Sequence, residues 1–406
     1  MTTHKRKLRT DGTLWQHVRA PQVPYRALAR DTSTQVLIVG AGITGAMIAD
    51  ALADAGLEVI VADRRRPTLG STVASTALVA YEIDMPLGDL QKKIGKRDAT
   101  RAWRRSRLAV ANLQSYFAER ELEAQSRGSL YLAGNELGVR DLEVEGALRR
   151  AAGIETAFLD RAALRARFGI DHGAALLAPG NLTINPREVT ARLLLRARKL
   201  GTRIHAPAEI ADLARDRAAW IATTKEGRRI RATHVVFASG YEFPKFVPLK
   251  GLKIRTTWAL ATRPQPRKLW PEQCLVWEAS SPYLYARTTP DGRVLCGGED
   301  EDSSEAVHRD GMIERKIARL QEKLARLFPQ LDTQAEFAWA ASFGESVTGL
   351  PTIGEIPRHK NCWAALGYGG NGITYSRIAA EIIRSALTGE PDVDADLYAF
   401  GRSPRG

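Results

Sequence analysis

Residues Thr34 to Asp63, TQVLIVGAGITGAMIADALADAGLEVIVAD, limit the possible folds of this chain more than any other stretch. Val36 to Val39 is a short apolar, β-branched run of the kind needed by a strand buried on both faces. Gly40, Gly42 and Gly45 follow in G-x-G-x-x-G spacing. The first glycine permits a tight turn, the second lets backbone approach a pyrophosphate, and the third lets a helix pack closely on the strand. Amides at that helix start, with Ile43 and Thr44, then face the phosphates. Helix Ile43 to Ala55 stops at Gly56, a second apolar strand runs from Glu58 to Ala62, and Asp63 and Arg64 stand at its end. An acid there is placed to accept hydrogen bonds from a ribose hydroxyl. Strand, turn, helix, strand and acid together predict a dinucleotide site in a parallel sheet.

The rest of the chain repeats this grammar with an interruption. Gly70 to Ala77, GSTVASTA, is a loop of small and hydroxylated residues that permits close approach to a flat ligand or phosphate. Asp98 to Glu119 has helical apolar spacing opposite a basic, solvated face. Pro179 to Pro186 reads as a loop leading into helix Arg187 to Leu200 and strand Thr202 to Ala206, followed by Ala208. Glu209 to Thr223 and Arg229 to Ala238 read as strands, the second running into Ala238-Ser239-Gly240 close to the cofactor. Residues 241 to about 340 hold alternating segments and an amphipathic helix from Met312 to Leu327, which predict an antiparallel substrate sheet. The last segment returns to strand Cys362 to Leu366, the turn Gly367 to Gly372 and helix Ile373 to Leu387.

The expected architecture is therefore α/β. A Rossmann-like dinucleotide domain (34–90, 150–240 and 341–406) is interleaved with an antiparallel-sheet domain (91–149 and 241–340) behind an extended basic arm (1–33) for which a targeting role stays open. The length of 406 residues suits two domains, and the net charge of +13 is spread over several segments rather than gathered into a nucleic-acid stripe. The three cysteines form no C-x-x-C pair and the seven histidines show no ligand spacing, so reduced thiols and no metal are expected. No run approaches a membrane span or a signal-peptide core, and a cytoplasmic protein is the default.

In their order, VLIVGAGITG with Asp63, GSTVAST, VVFASG, YLYARTTPDGRVLCGGED, GLPTIG and GYGGNGI resemble the flavin-dependent D-amino-acid oxidase, glycine oxidase and sarcosine oxidase superfamily. The resemblance runs from Thr34 to the C-terminal helix and implies the glutathione-reductase-2-like topology and FAD. It places Gly40, Gly42 and Gly45 on the pyrophosphate and Asp63 on the ribose. Ser71, Thr72, Ser75 and Thr76 come near the phosphates and flavin, and Gly370, Asn371, Gly372 and Ile373 beside the ring. Val73, Ala74 and Glu345 to Thr348 replace the histidine or cysteine that attaches flavin covalently in some members, so noncovalent FAD is expected. The implied reaction removes a hydride from a carbon bearing nitrogen, with oxygen or an electron carrier as final acceptor. No lysine lies between Trp270 and Arg315, where sarcosine oxidases place one to activate oxygen, and this leans toward a dehydrogenase.

The substrate end departs from that family. Phe343 stands where glycine-oxidase-like members carry a carboxylate-gripping arginine, and Thr374 where sarcosine-oxidase-like members carry a lysine; their loop arginine falls near Ala77 to Ala80. Either the substrate is an amine without a carboxylate at the reacting carbon, suited by Phe343 and Glu345, or Arg287 supplies the missing charge. Tyr285, Tyr368, Tyr283, Trp258 and Trp277 are candidate walls. A C–O dehydrogenase of a 2-hydroxy acid or glycerol-phosphate-like substrate, a flavin module in tRNA modification and a non-catalytic flavoprotein are the alternatives.

Overall fold

The computed structural model describes residues 3–247 and 251–402; the first two residues of the expected arm and 403–406 of the expected C-terminal segment lie outside it. The strands fall into two sheets. The first begins with β1 (Thr32–Val39) and β2 (Val59–Ala62), and the second with β3 (Leu78–Val79), β4 (Ala124–Leu132), β5 (Ala157–Asp160) and β6 (Ala174–Ile184). The chain returns to the first sheet for β7 (Arg203–His205), β8 (Ile210–Asp216), β9 (Ala219–Thr224) and β10 (Arg229–Phe237). It then builds the second with β11 (Leu252–Thr262), β12 (Leu275–Glu278), β13 (Leu284–Thr288), β14 (Val294–Glu301) and β15 (Ala335–Ser346). Strands β16 (Thr352–Glu355) and β17 (Cys362–Leu366) complete the first sheet.

The first sheet runs β16-β17-β10-β1-β2-β7, parallel from β17 to β7, with the β8–β9 hairpin on β10. Where both faces are covered, at Val36 to Val39, Val59 to Ala62 and Val235 to Phe237, its central strands are apolar at every step. Val36, Ile38, Val59 and Val61 pack in one core with helices Ile43–Asp54, Pro186–Lys199 and Gly372–Thr388, while Leu37, Ile60, Val235 and Phe237 enter another with Trp220 and Phe243.

The second sheet runs β15-β11-β14-β13-β12-β4-β6-β3, with β5 on β6. It is antiparallel except for the parallel β12–β4 pair, which joins its two halves. Period-two alternation gives it two different faces. Trp258, Leu284, Ala286 and Ala340 pack on the amphipathic helix Ile313–Leu327, whereas Thr257, Tyr285 and Ala341, their neighbours in sequence, face a cavity.

Three expectations change. Pro179 to Pro186 is not a loop: up to Ile184 it continues β6, whose pairing with β4 shifts register between Arg127 and Ser129. The single strand expected over Glu209 to Thr223 is the hairpin β8–β9, turning at Arg217, which has a φ of 52°. Residues 157–184, assigned by sequence to the dinucleotide domain, pair in the second sheet, and the first resumes at the helix Pro186–Lys199.

Candidate active site

One elongated cavity lies between the two sheets. At one end the glycine turn after β1 is held by backbone packing. A Cβ on Gly45 would stand 1.9 Å from the Gly40 carbonyl oxygen, and one on Gly40, at a φ of 122°, would stand 2.3 Å from that of Ala238. Only glycine permits that approach. Gly45 itself therefore lies behind the turn, while Gly40, Gly42, Ile43 and Thr44 line the cavity. The Thr72 hydroxyl accepts from the Ile43 N–H at 3.1 Å, at the start of the helix.

Asp63 also reaches this turn. Its carboxylate accepts from the Ala41 N–H at 2.6 Å and from the Arg65 N–H at 2.7 Å, while burial raises its pKa. It thus fixes the glycine turn from the end of β2 and still lines the cavity, as do Arg64, Ala208, Ala238, Ser239 and Gly240. Glu242 gathers Arg64, Arg65 and the backbone N–H of Arg6. The N-terminal arm is thereby tied over this end, and its Trp15 Nε1 donates to Ser75 O at 2.7 Å. Ser71, Thr72, Ser75 and Thr76 line the middle of the cavity. Two buried polar atoms beside it, Ser71 Oγ and Arg64 Nη1, have no hydrogen-bond partner, which suits an anionic, hydrogen-bonding occupant.

Gly370, Asn371, Gly372 and Ile373 line the far side at a helix start. Thr374 lies behind them, donating its hydroxyl to Ala80 O at 2.7 Å. The Gly370 N–H donates to Asp84 Oδ2 at 2.8 Å, and Asn371 Nδ2 to Glu82 O at 2.7 Å. A Cβ on Gly369, whose φ is 57°, would stand 2.6 Å from that same Asp84 oxygen, so glycine makes this contact possible.

The second sheet supplies the remaining wall: Ser129, Thr257, Trp277, Tyr283, Tyr285 and Phe343, with Tyr241 and Tyr368 from the first domain. Tyr285 lies across Gly297, where a Cβ would come within 2.4 Å of its hydroxyl. Glu345 falls beside this wall, accepting from Arg255 Nη1 at 3.2 Å and lining an adjoining depression with Asp84.

Two expected site residues are elsewhere. Trp258 is on the opposite face of β11, its Nε1 donating to Arg309 O at 3.1 Å. Arg287 is outside the cavity wall and 1% exposed, with its guanidinium donating to the carbonyls of Thr76, Thr288 and Ile184. Burial without a carboxylate partner lowers its pKa to about 9. An arginine clamped by three carbonyls beneath the Gly70 to Ala77 loop positions that loop and has no free face for a substrate. Sequence reading missed Glu82, Asp84, Ser129 and Tyr241. The signal for the two acids was present in Leu78 to Met85, LVAYEIDM, where they recur at strand spacing within an apolar run.

Residues 35–386 match the family described as DAO, FAD dependent oxidoreductase. The chain belongs to that family. Gamma-glutamylputrescine oxidoreductase of Escherichia coli (strain K12) is 23% identical over 94% of this chain and 89% of its own length. The tRNA 5-methylaminomethyl-2-thiouridine biosynthesis bifunctional protein MnmC of Cupriavidus necator is 25% identical over 93% of this chain but only 60% of its own. Glycine oxidase from Geobacillus kaustophilus has the same fold, with a TM-score of 0.75 and 20% identity over 92% of this chain and 100% of that one. This FAD dependent oxidoreductase is an enzyme whose glycine turn, orphaned Ser71 and Arg64 atoms and elongated cavity fit FAD. Among the described residues no helix is long and apolar enough to cross a membrane, and no cluster suits a metal ion.

Proposed function

We propose that this enzyme oxidises the C–N bond of a small amine that carries no carboxylate at the reacting carbon. The observation behind this reading is the charge of the cavity wall. Among its described residues the basic side chains are Arg64 and Arg65, both at the dinucleotide end, whereas Glu82 and Asp84 line it beside the Asn371 turn, where Asp84 faces Tyr241 and Tyr283. Carboxylates and aromatic faces attract a cation and give a substrate carboxylate no bidentate partner. The relative named gamma-glutamylputrescine oxidoreductase is named for a substrate that bears an amine, which agrees with this direction.

Bound FAD supplies a hydride acceptor, and the resulting imine is hydrolysed by water. The protein's own residues do the rest. Gly40, Gly42, Ser71 and Thr72 would hold the phosphates of FAD, Asp63 its ribose, and Gly370 to Ile373 its ring. Trp277, Tyr283, Tyr285, Phe343 and Tyr368 exclude water and confine the substrate. The lining contains neither histidine nor cysteine, which supports noncovalent FAD. Oxygen or an electron carrier takes the electrons onward.

Anaerobic bleaching of the flavin tests the reading, with primary and secondary alkylamines, N-methyl and cyclic amino acids, D-amino acids and 2-hydroxy acids as challengers. Uncharged-tail amines should bleach it and amino acids should not. Bleaching by 2-hydroxy acids alone would remove the C–N assignment.

A further inference from the structure

Glu82 follows β3, and it is 2% exposed. Its Oε1 accepts from the hydroxyl of Ser129 and from Asn181 Nδ2 at 3.3 Å, while its Oε2 has no hydrogen-bond partner. No described ion pair includes it; the nearby Arg149 donates its Nε to Glu145 at 2.8 Å, and its charge acts on Glu82 through space without a hydrogen bond. A buried carboxylate with one oxygen unpaired is costly unless something binds there. Both Glu82 and Ser129 line the cavity, and the Glu82 carbonyl is tied to Asn371 in the turn at its far side.

Resting on the amine reading, we infer that Glu82 is the residue that selects a cationic amine, its free Oε2 accepting an N–H of the substrate's ammonium group. The structural alternative, a carboxyl that braces Ser129 and Asn181 and faces the charge of Arg149, leaves Oε2 without a hydrogen bond. As oxidation begins, the ammonium proton passes to Oε2, making a carboxylic acid and a neutral amine. The nitrogen then has the lone pair that its neighbouring carbon needs to release a hydride, and proton and charge both balance. Burial raises the Glu82 pKa, which suits an acceptor of that proton.

The test is equilibrium binding to the FAD-loaded protein of tert-butylammonium, which has no C–H on its nitrogen-bearing carbon, against the similarly shaped anion pivalate. Perturbation of the visible flavin spectrum and of the melting temperature reports binding without turnover. Wild type should prefer the ammonium, Glu82→Gln should weaken it about tenfold or more, and Glu82→Asp should restore part of the loss. A Glu82→Gln protein whose ammonium affinity stays within about twofold of wild type would overturn the inference, as would a wild-type protein that prefers pivalate or binds neither. If Glu82→Gln does not fold, Glu82→Asp decides: ammonium affinity unchanged by the shortened side chain would overturn the inference, and a partial loss with pivalate binding unchanged would uphold it. Failure of the amine reading itself is recognised separately, by bleaching with 2-hydroxy acids in place of amines.

Discussion

At the dinucleotide end the cavity wall is largely backbone, with the Gly40 turn seated against Ala238 and Gly45, whereas at the substrate end it is side chains carried on the pleat of the second sheet. The first end is built on one continuous run, Gly40 to Asp63, seated against Ala238, and admits no Cβ at Gly40 or Gly45. The second is assembled from β4, β11, β12, β13 and β15 and can change its chemistry one side chain at a time. A conserved mode of cofactor binding and a variable substrate preference can thus share one cavity.

The sharpest way to break this contrast is Gly45→Val. With its Cβ 1.9 Å from Gly40 O, the substitution should displace the turn, cost about 3 kcal/mol or more, and leave purified protein nearly free of flavin. A normal flavin-to-protein absorbance ratio would contradict the rigid-backbone account. Arg287→Ala comes next. Losing three carbonyl contacts should lower stability by about 2–3 kcal/mol in denaturant unfolding, while the half-saturating amine concentration of folded protein changes little. A selective loss of substrate binding at unchanged stability would return Arg287 to the site.

Phe343→Arg probes the adaptable end. A cation there should reduce amine-driven bleaching about tenfold and create binding of small carboxylates, with flavin content unchanged. The smallest effect belongs to Asp84, which opens onto the cavity and whose pKa is raised to about 7, first by desolvation among the cavity walls and then by the Glu345 and Asp300 carboxylates, against the Gly370 N–H and Arg255. Its folded pKa lies above the unfolded value near 4, so the stability it contributes is present below pH ~4 and is lost as pH rises through about 7. Over the same rise it gains negative charge, so tert-butylammonium binding should strengthen about threefold between pH 6 and 8. Asp84→Asn should flatten both trends in melting temperature and in binding.

Sequence reading succeeded where chemistry is local. Val36 to Asp63 carries strand, turn, helix and acid in one continuous run, and Asn371 to Ile373 repeats a turn and helix start, so each could be read without knowing its neighbours. It faltered at Pro179 to Ile184, where Pro and Gly suggested a loop but pairing with β4 and β3 holds a strand, because cross-strand partners are not visible in a linear text. Arg287 shows the same limit. It shares strand spacing with Tyr283 and Tyr285, yet the Gly70 to Ala77 loop and Trp15 cover its end of β13.

The sequence by itself determined that a dinucleotide-type glycine turn follows a strand of a parallel sheet, since glycine spacing and β-branched runs fix short-range backbone geometry. Only the tertiary structure decided which face of β11 meets the cavity, that Arg287 serves the scaffold, and that Glu82 stands in the wall with an unpaired oxygen. The physical reason is that strand alternation offers two faces of equal standing, and burial against distant elements selects one of them.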